Sequence, residues 1–86
     1  MPTLSSFYGI KIQMFWNDHP PPHFHAEAAG LIVVVEIRTL RILRGELSAA
    51  SMKLVLQWAK QHQAELLEAW ELCSKLEPPP SITPLP

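Results

Sequence analysis

The chain has one cysteine, three glycines and no long hydrophobic run, and each of these shortages excludes a class of protein. Because Cys73 has no second cysteine to pair with, an internal disulfide is impossible and nothing requires an oxidising compartment. Neither a glycine-rich phosphate loop nor a Gly-x-Ser-x-Gly nucleophile motif is present. The longest strongly apolar run, residues 31–35, is far shorter than the roughly 20 residues of a membrane-spanning helix. Since no targeting layout precedes it, we expect a cytoplasmic protein with no membrane partner.

Charge is also scarce, since only 17% of the residues are charged and the formal net charge is −1. This balance argues weakly against nucleic acid as the main ligand, because phosphate neutralisation dominates that affinity. A local basic patch, and therefore RNA, stays open. The hydrophobic content of 48% suits a globular domain, and 86 residues leave room for one core. So small a domain is marginally stable alone, and we expect self-association or a protein partner.

The most distinctive segment is Asn17–Glu27, which holds three of the four histidines beside a run of three prolines. His23, His25 and Glu27 are two residues apart, so an extended strand would direct all three side chains to one face. The apolar residues between them would face the opposite side. The pattern predicts a strand with an ionisable front and an apolar back, entered through a rigid proline turn.

Hydrophobic alternation predicts strands over residues 10–16, 23–28, 31–38 and 41–45. Their short connections favour antiparallel pairing. Ser48 is the predicted N-cap of one amphipathic helix of about seven turns. The predicted fold class is therefore α+β: a small antiparallel sheet of three to four strands packed on one long C-terminal helix, followed by a proline-rich tail.

The composition changes after Glu77, which divides the chain into a single α+β domain, residues 1–77, and a proline-rich segment, residues 78–86. The segment can be neither helix nor regular strand. It is either a loose tail or an extended arm, docked through Ile82 and Leu85 on this domain or on a neighbour.

If the helix covers one face of the sheet, the other face stays open. Alternation places a mixture of charged and apolar side chains there: Lys11, Gln13, Phe15, His23, His25, Glu27, Ile32, Val34, Glu36 and Arg38. Such a mixed open face is unusual for an isolated monomer and indicates an interaction surface or a shallow site.

Two imidazoles on one strand face, about 6.6 Å apart at the backbone, are a known metal-ligand geometry. His23 and His25 are therefore candidate ligands for a divalent metal such as Zn²⁺. Glu27 lies about 13 Å along the strand from His23, too far for both to bind one ion. A third ligand would have to come from Asp18, from His19 or from a neighbouring strand. The alternative is a solvated polar face beside a proline turn.

The same histidines are candidates for metal-free cleavage of RNA, with one as general base and the other as general acid. Arg38 or Lys11 would then stabilise the charge that develops at phosphorus. His23, His25 and Arg38 are the candidate catalytic residues. The candidate binding residues are Asp18, His19, Glu27 and Lys11. Cys73, on the apolar stripe of the helix, is expected to be buried.

The chain resembles a family of small bacterial proteins described only as domain of unknown function 4160. The resemblance rests on short motifs along nearly the whole chain: Pro2-Thr3, Phe7-x-Gly9, Asn17–His25, Gly45-x-Leu47, Trp58-Ala59, Glu65-Leu66, Trp70 and Pro84-Leu85. It departs from the family in the turn Arg38–Arg41, which is basic and lacks glycine, where the family tends to have an acidic or glycine-containing turn.

The resemblance implies no established activity. Genes of this family often adjoin those of a second small uncharacterised family, a layout that resembles toxin–antitoxin pairs. It implies a cytoplasmic protein that works with the product of a neighbouring gene. Two hypotheses follow: a partner-binding component of such a pair, acting through the open sheet face or the tail, and a small ribonuclease-like toxin that uses the two histidines, with or without a metal.

Overall fold

The computed structural model describes residues 1–86. Seven elements follow one another along the chain: β1 (Thr3–Phe7), β2 (Ile10–Gln13), β3 (His23–Ala28), β4 (Leu31–Glu36), β5 (Ile42–Gly45), α1 (Ala49–Gln61) and α2 (Gln63–Ser74). No helix is both long enough and apolar enough to cross a membrane.

The five strands form one antiparallel sheet in the order β1-β2-β3-β4-β5. Every connection joins neighbours, and such short links permit only antiparallel pairing. The β3–β4 link is a two-residue turn in which Ala29 and Gly30 both have positive φ, +52° and +80°. A turn of this kind matches the right-handed twist of the strands it connects. β1 and β5 are the edges of the sheet.

The prediction of three to four strands on one long helix is wrong, because the sheet has five strands and the helical layer has two short helices. The missed strand is β1. A register shift between Thr3 and Ser5 places Leu4 and Ser5, two successive residues, in buried positions. The shift disrupts the period-two alternation by which a strand is recognised in the sequence.

The predicted helix begins where expected, since the Ser48 side chain accepts a hydrogen bond of 3.2 Å from the Ser51 N–H. It breaks at His62, whose φ of −127° is incompatible with a continuous helix. Neither glycine nor proline marks the break. Tertiary contacts accompany it instead: Gln63 Nε2 donates to the Ile37 carbonyl oxygen at 2.8 Å. The C-terminal helix ends at Ser74.

The core lies between one face of the sheet and the helices. Ile12, Phe24 and Val35 of the sheet are fully buried, as are Trp58 and Leu66 of the helices. The strand alternation therefore assigned the core face correctly in β2 to β4. The long predicted strands are shorter than expected, and residues 14–22 form a loop at the end of the sheet.

Residues 78–86 pack as an extended arm against β1 and α1. The Ile82 N–H donates to the Leu4 carbonyl oxygen at 2.8 Å, and the Trp58 indole N–H donates to the Thr83 carbonyl oxygen at 2.8 Å. Ile82 and Leu85 are buried in the core. The arm thus covers the β1 edge at Leu4 and leaves β5 as the free edge of the sheet.

Candidate functional site

A depression of about 190 Å³ lies between the loop 14–22 and strands β4 and β5. Its walls combine ionisable and apolar side chains: Asp18, His19, Pro20, Pro21, His23, Val34, Leu43 and Arg44. We call it the histidine pocket. A second depression, of about 290 Å³, lies between β1 and the arm and is lined by no titratable side chain. The histidine pocket is therefore the candidate site.

His23 is held on both ring nitrogens. Its Nδ1 lies 2.8 Å from the Pro21 carbonyl oxygen, and its Nε2 lies 2.9 Å from Asp18 Oδ2. The ring also packs on Trp70 of α2, with centroids 5.0 Å apart. A carbonyl and an ionised carboxylate only accept hydrogen bonds, so both contacts are hydrogen bonds when both nitrogens carry hydrogen. Each ring nitrogen of His23 thus has an acceptor beside it for a hydrogen that it carries.

His25 has the opposite environment. Phe15 stacks on its ring at 4.3 Å between centroids, and only 9% of the residue is exposed. Its Nδ1 is fully buried and has no hydrogen-bond partner. Burial lowers the pKa of His25, and the charges of His23 and Arg44 lower it further, against an opposing effect of Asp18. His25 therefore favours the neutral form.

Asp18 supplies the negative charge of the pocket. Burial acts to raise its pKa, but a hydrogen bond from the His19 N–H and the contact with His23 outweigh burial, so the pKa lies below its ordinary value. The loop that carries Asp18 is tied to the end of α2 by a hydrogen bond of 3.1 Å from the Asn17 N–H to the Cys73 carbonyl oxygen. The backbone thus holds an ionised carboxylate beside the two imidazoles.

The structure brings together Asp18, His23 and His25, whose nearest ligand-type atoms all lie within 4.8 Å of one another. His19 lines the pocket, but its ring nitrogens form no hydrogen bond and the residue is exposed. The sequence left the third candidate metal ligand open between Asp18, His19 and a neighbouring strand. Of these, the structure places Asp18 in the group with His23 and His25.

The other predicted residues lie elsewhere. Glu27 pairs in register with Lys11 of β2, two positions along β3 from His25, and neither lines the pocket. Arg38 lies in the turn after β4 and is exposed, away from the pocket walls. Of the predicted catalytic set, His23 lines the pocket, His25 lies beside it in the group with Asp18 and His23, and Arg38 belongs to neither.

Sequence reasoning missed the cation that does line the pocket, Arg44, and its neighbour Leu43. The register shift between Val34 and Val35 makes Leu43 the extra residue of a bulge, and it leaves Arg44 opposite Val34. Since Val34 is also opposite His25, Arg44 and His25 share one row on the sheet face opposite the core, where His23, His25 and Val34 are buried rather than open as predicted. Alternation alone could not locate the bulge, because a shift of one residue reverses the faces.

A second exposed surface adjoins the pocket at the free edge of the sheet. All four residues of β5 are exposed, and the apolar side chains Ile42 and Leu43 are 50% and 43% exposed. Three of the chain's seven lysines and arginines fall within Arg38–Arg44. Arg41 and Arg44 flank the two apolar residues. We call residues 41–45 the basic edge.

Comparison with known proteins gives one match. The family described as "Domain of unknown function (DUF4160)" matches residues 9–71, close to three quarters of the chain. The match spans the proline–histidine segment and both helices up to Glu71, and it leaves out the arm and all of β1. No curated protein and no solved structure matches. The histidine pocket and the basic edge thus lie within the matched region, and the chain belongs to the DUF4160 family.

Proposed function

We propose that the protein is a protein-binding module and acts in the cytoplasm as the partner-binding component of a two-gene, toxin–antitoxin-like pair. The observation that carries this proposal is the basic edge, a terminal strand that is exposed along its whole length. β5 is short and carries charge, as exposed edges often do, but it also exposes the large apolar side chains of Ile42 and Leu43 beside backbone groups that are free to pair with another chain. The edge formed by β1 is covered by the arm at Leu4, whereas β5 is free.

The chemistry of the basic edge specifies the kind of partner. Ile42 and Leu43 offer apolar contacts, and Arg41 and Arg44 offer charge on either side of them. An extended segment that adds to the sheet would gain main-chain hydrogen bonds from the strand and specificity from its side chains. The partner is therefore an acidic, strand-forming segment of the protein encoded by the neighbouring gene. Arginine–carboxylate pairs would fix its register.

Co-expression with the neighbouring gene product tests this proposal. We expect the two proteins to co-elute in size exclusion at micromolar concentration, which corresponds to roughly −8 kcal/mol of binding free energy. The variant Arg41→Glu/Arg44→Glu reverses the charge of the basic edge and should weaken the complex by at least about tenfold. The matched control, Lys53→Glu/Lys60→Glu, makes the same change at exposed positions of α1 and should bind as the unchanged protein does.

Two outcomes would overturn the proposal. Separate elution would show that the two proteins do not form a complex. Equal weakening by both double variants would show that Arg41 and Arg44 act only through the net charge of the protein and not through contacts at the basic edge. Circular dichroism of each variant distinguishes lost binding from lost folding, because all four positions are exposed and their replacement should leave the fold intact.

A second candidate function, ribonuclease-like cleavage, is favoured by the different environments of the two histidines. His25 favours the neutral form that a general base needs, and His23 has the two accepting partners of a protonated acid. Arg44, rather than Arg38 or Lys11, would stabilise the charge at phosphorus.

Induced expression in a bacterial host tests the second candidate. The wild type should arrest growth and degrade RNA, and the variant His23→Ala/His25→Ala should do neither. Cleavage by the purified double variant at the wild-type rate would refute the candidate. If neither protein affects growth or RNA, any toxic activity of the pair belongs to the partner, as the binding module requires.

A further inference from the structure

The cluster of Asp18, His23 and His25 has an unfilled bonding position that neither partner binding nor packing explains. The buried Nδ1 of His25 has no donor or acceptor within reach. Buried polar atoms in folded proteins are nearly always paired, and an unpaired one costs free energy. The residue is nine-tenths buried, so solvent does not readily relieve this cost.

His23 is oriented as histidines that bind metals are. Such histidines usually donate one ring N–H to a backbone carbonyl or a carboxylate, which fixes the ring and directs the other nitrogen at the ion. The Pro21 carbonyl oxygen, 2.8 Å from Nδ1, is such an acceptor. Nε2 then faces Asp18 Oδ2 at 2.9 Å, with a lone pair on each atom. Either a proton or a cation can lie between those two lone pairs.

We propose that Asp18, His23 and His25 form a site for one divalent transition-metal ion of the Zn²⁺ class. Two imidazoles and one carboxylate are a ligand set that suits zinc and its neighbours and does not suit Mg²⁺ or Ca²⁺. Three protein ligands leave a fourth position open, as in catalytic rather than structural zinc sites. Two of the three ligands, Asp18 and His23, line the 190 Å³ histidine pocket, so a molecule in that pocket lies next to the ion.

The fit requires a small movement of the loop. Donor atoms on a tetrahedral zinc ion lie roughly 3.4 Å apart, given bond lengths of about 2.1 Å. The Asp18 and His23 donor atoms, 2.9 Å apart, must therefore separate by about 0.5 Å, and the His25 donor atom, within 4.8 Å of them, must approach by up to about 1.4 Å. Asp18 belongs to the loop rather than to the sheet, which makes it the ligand that moves.

Arg44 is the charged group of the pocket that opposes a cation. Its backbone lies two strands from that of His25, or about 10 Å, and its side chain forms no hydrogen bond or ion pair with the three ligands. Because it lines the same pocket, it would attract an anionic group bound at the open position of the metal. The variant Arg44→Gln should therefore bind the metal somewhat more tightly and bind an anion beside the metal less tightly.

A metal and an acid–base role for the histidines exclude each other, because a nitrogen bound to zinc cannot accept or deliver a proton. The proposal is independent of partner binding at the basic edge. The pocket walls share Leu43 and Arg44 with the basic edge, but none of the three ligands belongs to it, so loss of metal binding in His25→Gln should leave partner binding unchanged.

Titration of the chelator-treated full chain with Zn²⁺, and with Co²⁺ as a visible-absorption probe, tests the site. We expect one ion per chain, four-coordinate Co²⁺ bands that Zn²⁺ abolishes, and a rise in melting temperature on addition of Zn²⁺. His25→Gln should weaken Zn²⁺ binding by at least about 100-fold, more than the loss of a supporting group does. Asp18→Asn keeps the shape of the side chain and should also weaken binding.

His62→Gln is the matched control. His62 Nδ1 lies 2.6 Å from Glu65 Oε1, so this pair is also a histidine beside a carboxylate, but it lacks a third ligand. Its loss should leave the stoichiometry and affinity unchanged. The proposal is overturned if the unchanged protein binds no Zn²⁺ at micromolar concentration, or if His25→Gln and Asp18→Asn, both shown folded by circular dichroism, bind as the wild type does.

Discussion

Gly45 is the residue whose backbone position least tolerates a side chain. Its φ is +80°, and a Cβ atom would overlap the Ile32 carbonyl oxygen on the neighbouring strand. We expect Gly45→Ala to lower the free energy of unfolding by at least about 2 kcal/mol, from backbone strain and the overlap together. Urea denaturation measures this change.

Gly9 provides the control for that prediction. It has a similar φ of +75°, but no atom lies within 4 Å of the position of its Cβ. Gly9→Ala should therefore cost only the backbone strain, about 1 kcal/mol. Equal losses at the two glycines would show that the close approach of β4 to Gly45 is absent in solution.

Cys73 should resist modification in the folded protein. The residue is 1% exposed, and burial raises the pKa of its thiol above the ordinary value. At pH 8 the reactive thiolate fraction is thus smaller than in the unfolded chain, and access is blocked as well. We expect iodoacetamide to modify the native protein far more slowly than the protein in urea. Comparable rates would contradict the burial of this side chain.

At the level of secondary-structure elements, α2 ends in a turn whose sequence is unfavourable. Leu76 has a φ of +60°, its N–H bonds to the Cys73 carbonyl oxygen, and the Glu77 N–H bonds to the Leu72 carbonyl oxygen. This is the Schellman arrangement, in which glycine normally occupies the position of Leu76. Since Leu76 is exposed, Leu76→Gly should raise the free energy of unfolding by about 0.5–1 kcal/mol.

The same replacement one residue earlier tests the cause. Lys75 has a φ of −96°, which any residue adopts, so a glycine there relieves no strain. Lys75→Gly should slightly lower the free energy of unfolding, because glycine increases the conformational entropy of the unfolded chain. Thermal denaturation should show a higher melting temperature for Leu76→Gly and a slightly lower one for Lys75→Gly than for the wild type. Destabilisation by Leu76→Gly would mean that its side chain makes contacts that outweigh the strain.

The elements that the sequence predicted well have short-range causes. Alternation located the buried residues Ile12, Phe24 and Val35, and the Ser48 side chain marked the start of α1. The elements that it predicted badly depend on distant contacts. The break at His62 has no glycine or proline, and it coincides with a hydrogen bond from Gln63 to the sheet.

The candidate site shows the same division. His23 and His25 could be placed on one face because they are close in sequence, and Asp18 was within reach of them in the proline turn. Arg44 could not be found, because its position depends on a bulge in β5 and on the pairing of two strands. The orphaned nitrogen of His25 depends on burial by Phe15 and is likewise invisible in the sequence.

For the whole molecule, the arm is part of the core rather than an appendage. Ile82 is 3% exposed, and its N–H bonds to the Leu4 carbonyl oxygen. Ile82→Ala should lower the free energy of unfolding by about 2–5 kcal/mol, as for other large buried aliphatic side chains. Ser81→Ala, an exposed neighbour, should change it by less than about 0.5 kcal/mol. Chemical denaturation followed by tryptophan fluorescence would report both, and equal small effects would show that the arm is detached in solution.

The central claim is that a protein partner adds to the sheet at the basic edge. Hydrogen–deuterium exchange of the free protein and of its complex with the neighbouring gene product tests it most directly. Strand addition predicts slower exchange at the backbone amides of residues 41–45, which form the free edge, and no change in α1 or the arm. Slower exchange confined to the helices or to residues 78–86, with residues 41–45 unchanged, would contradict the account.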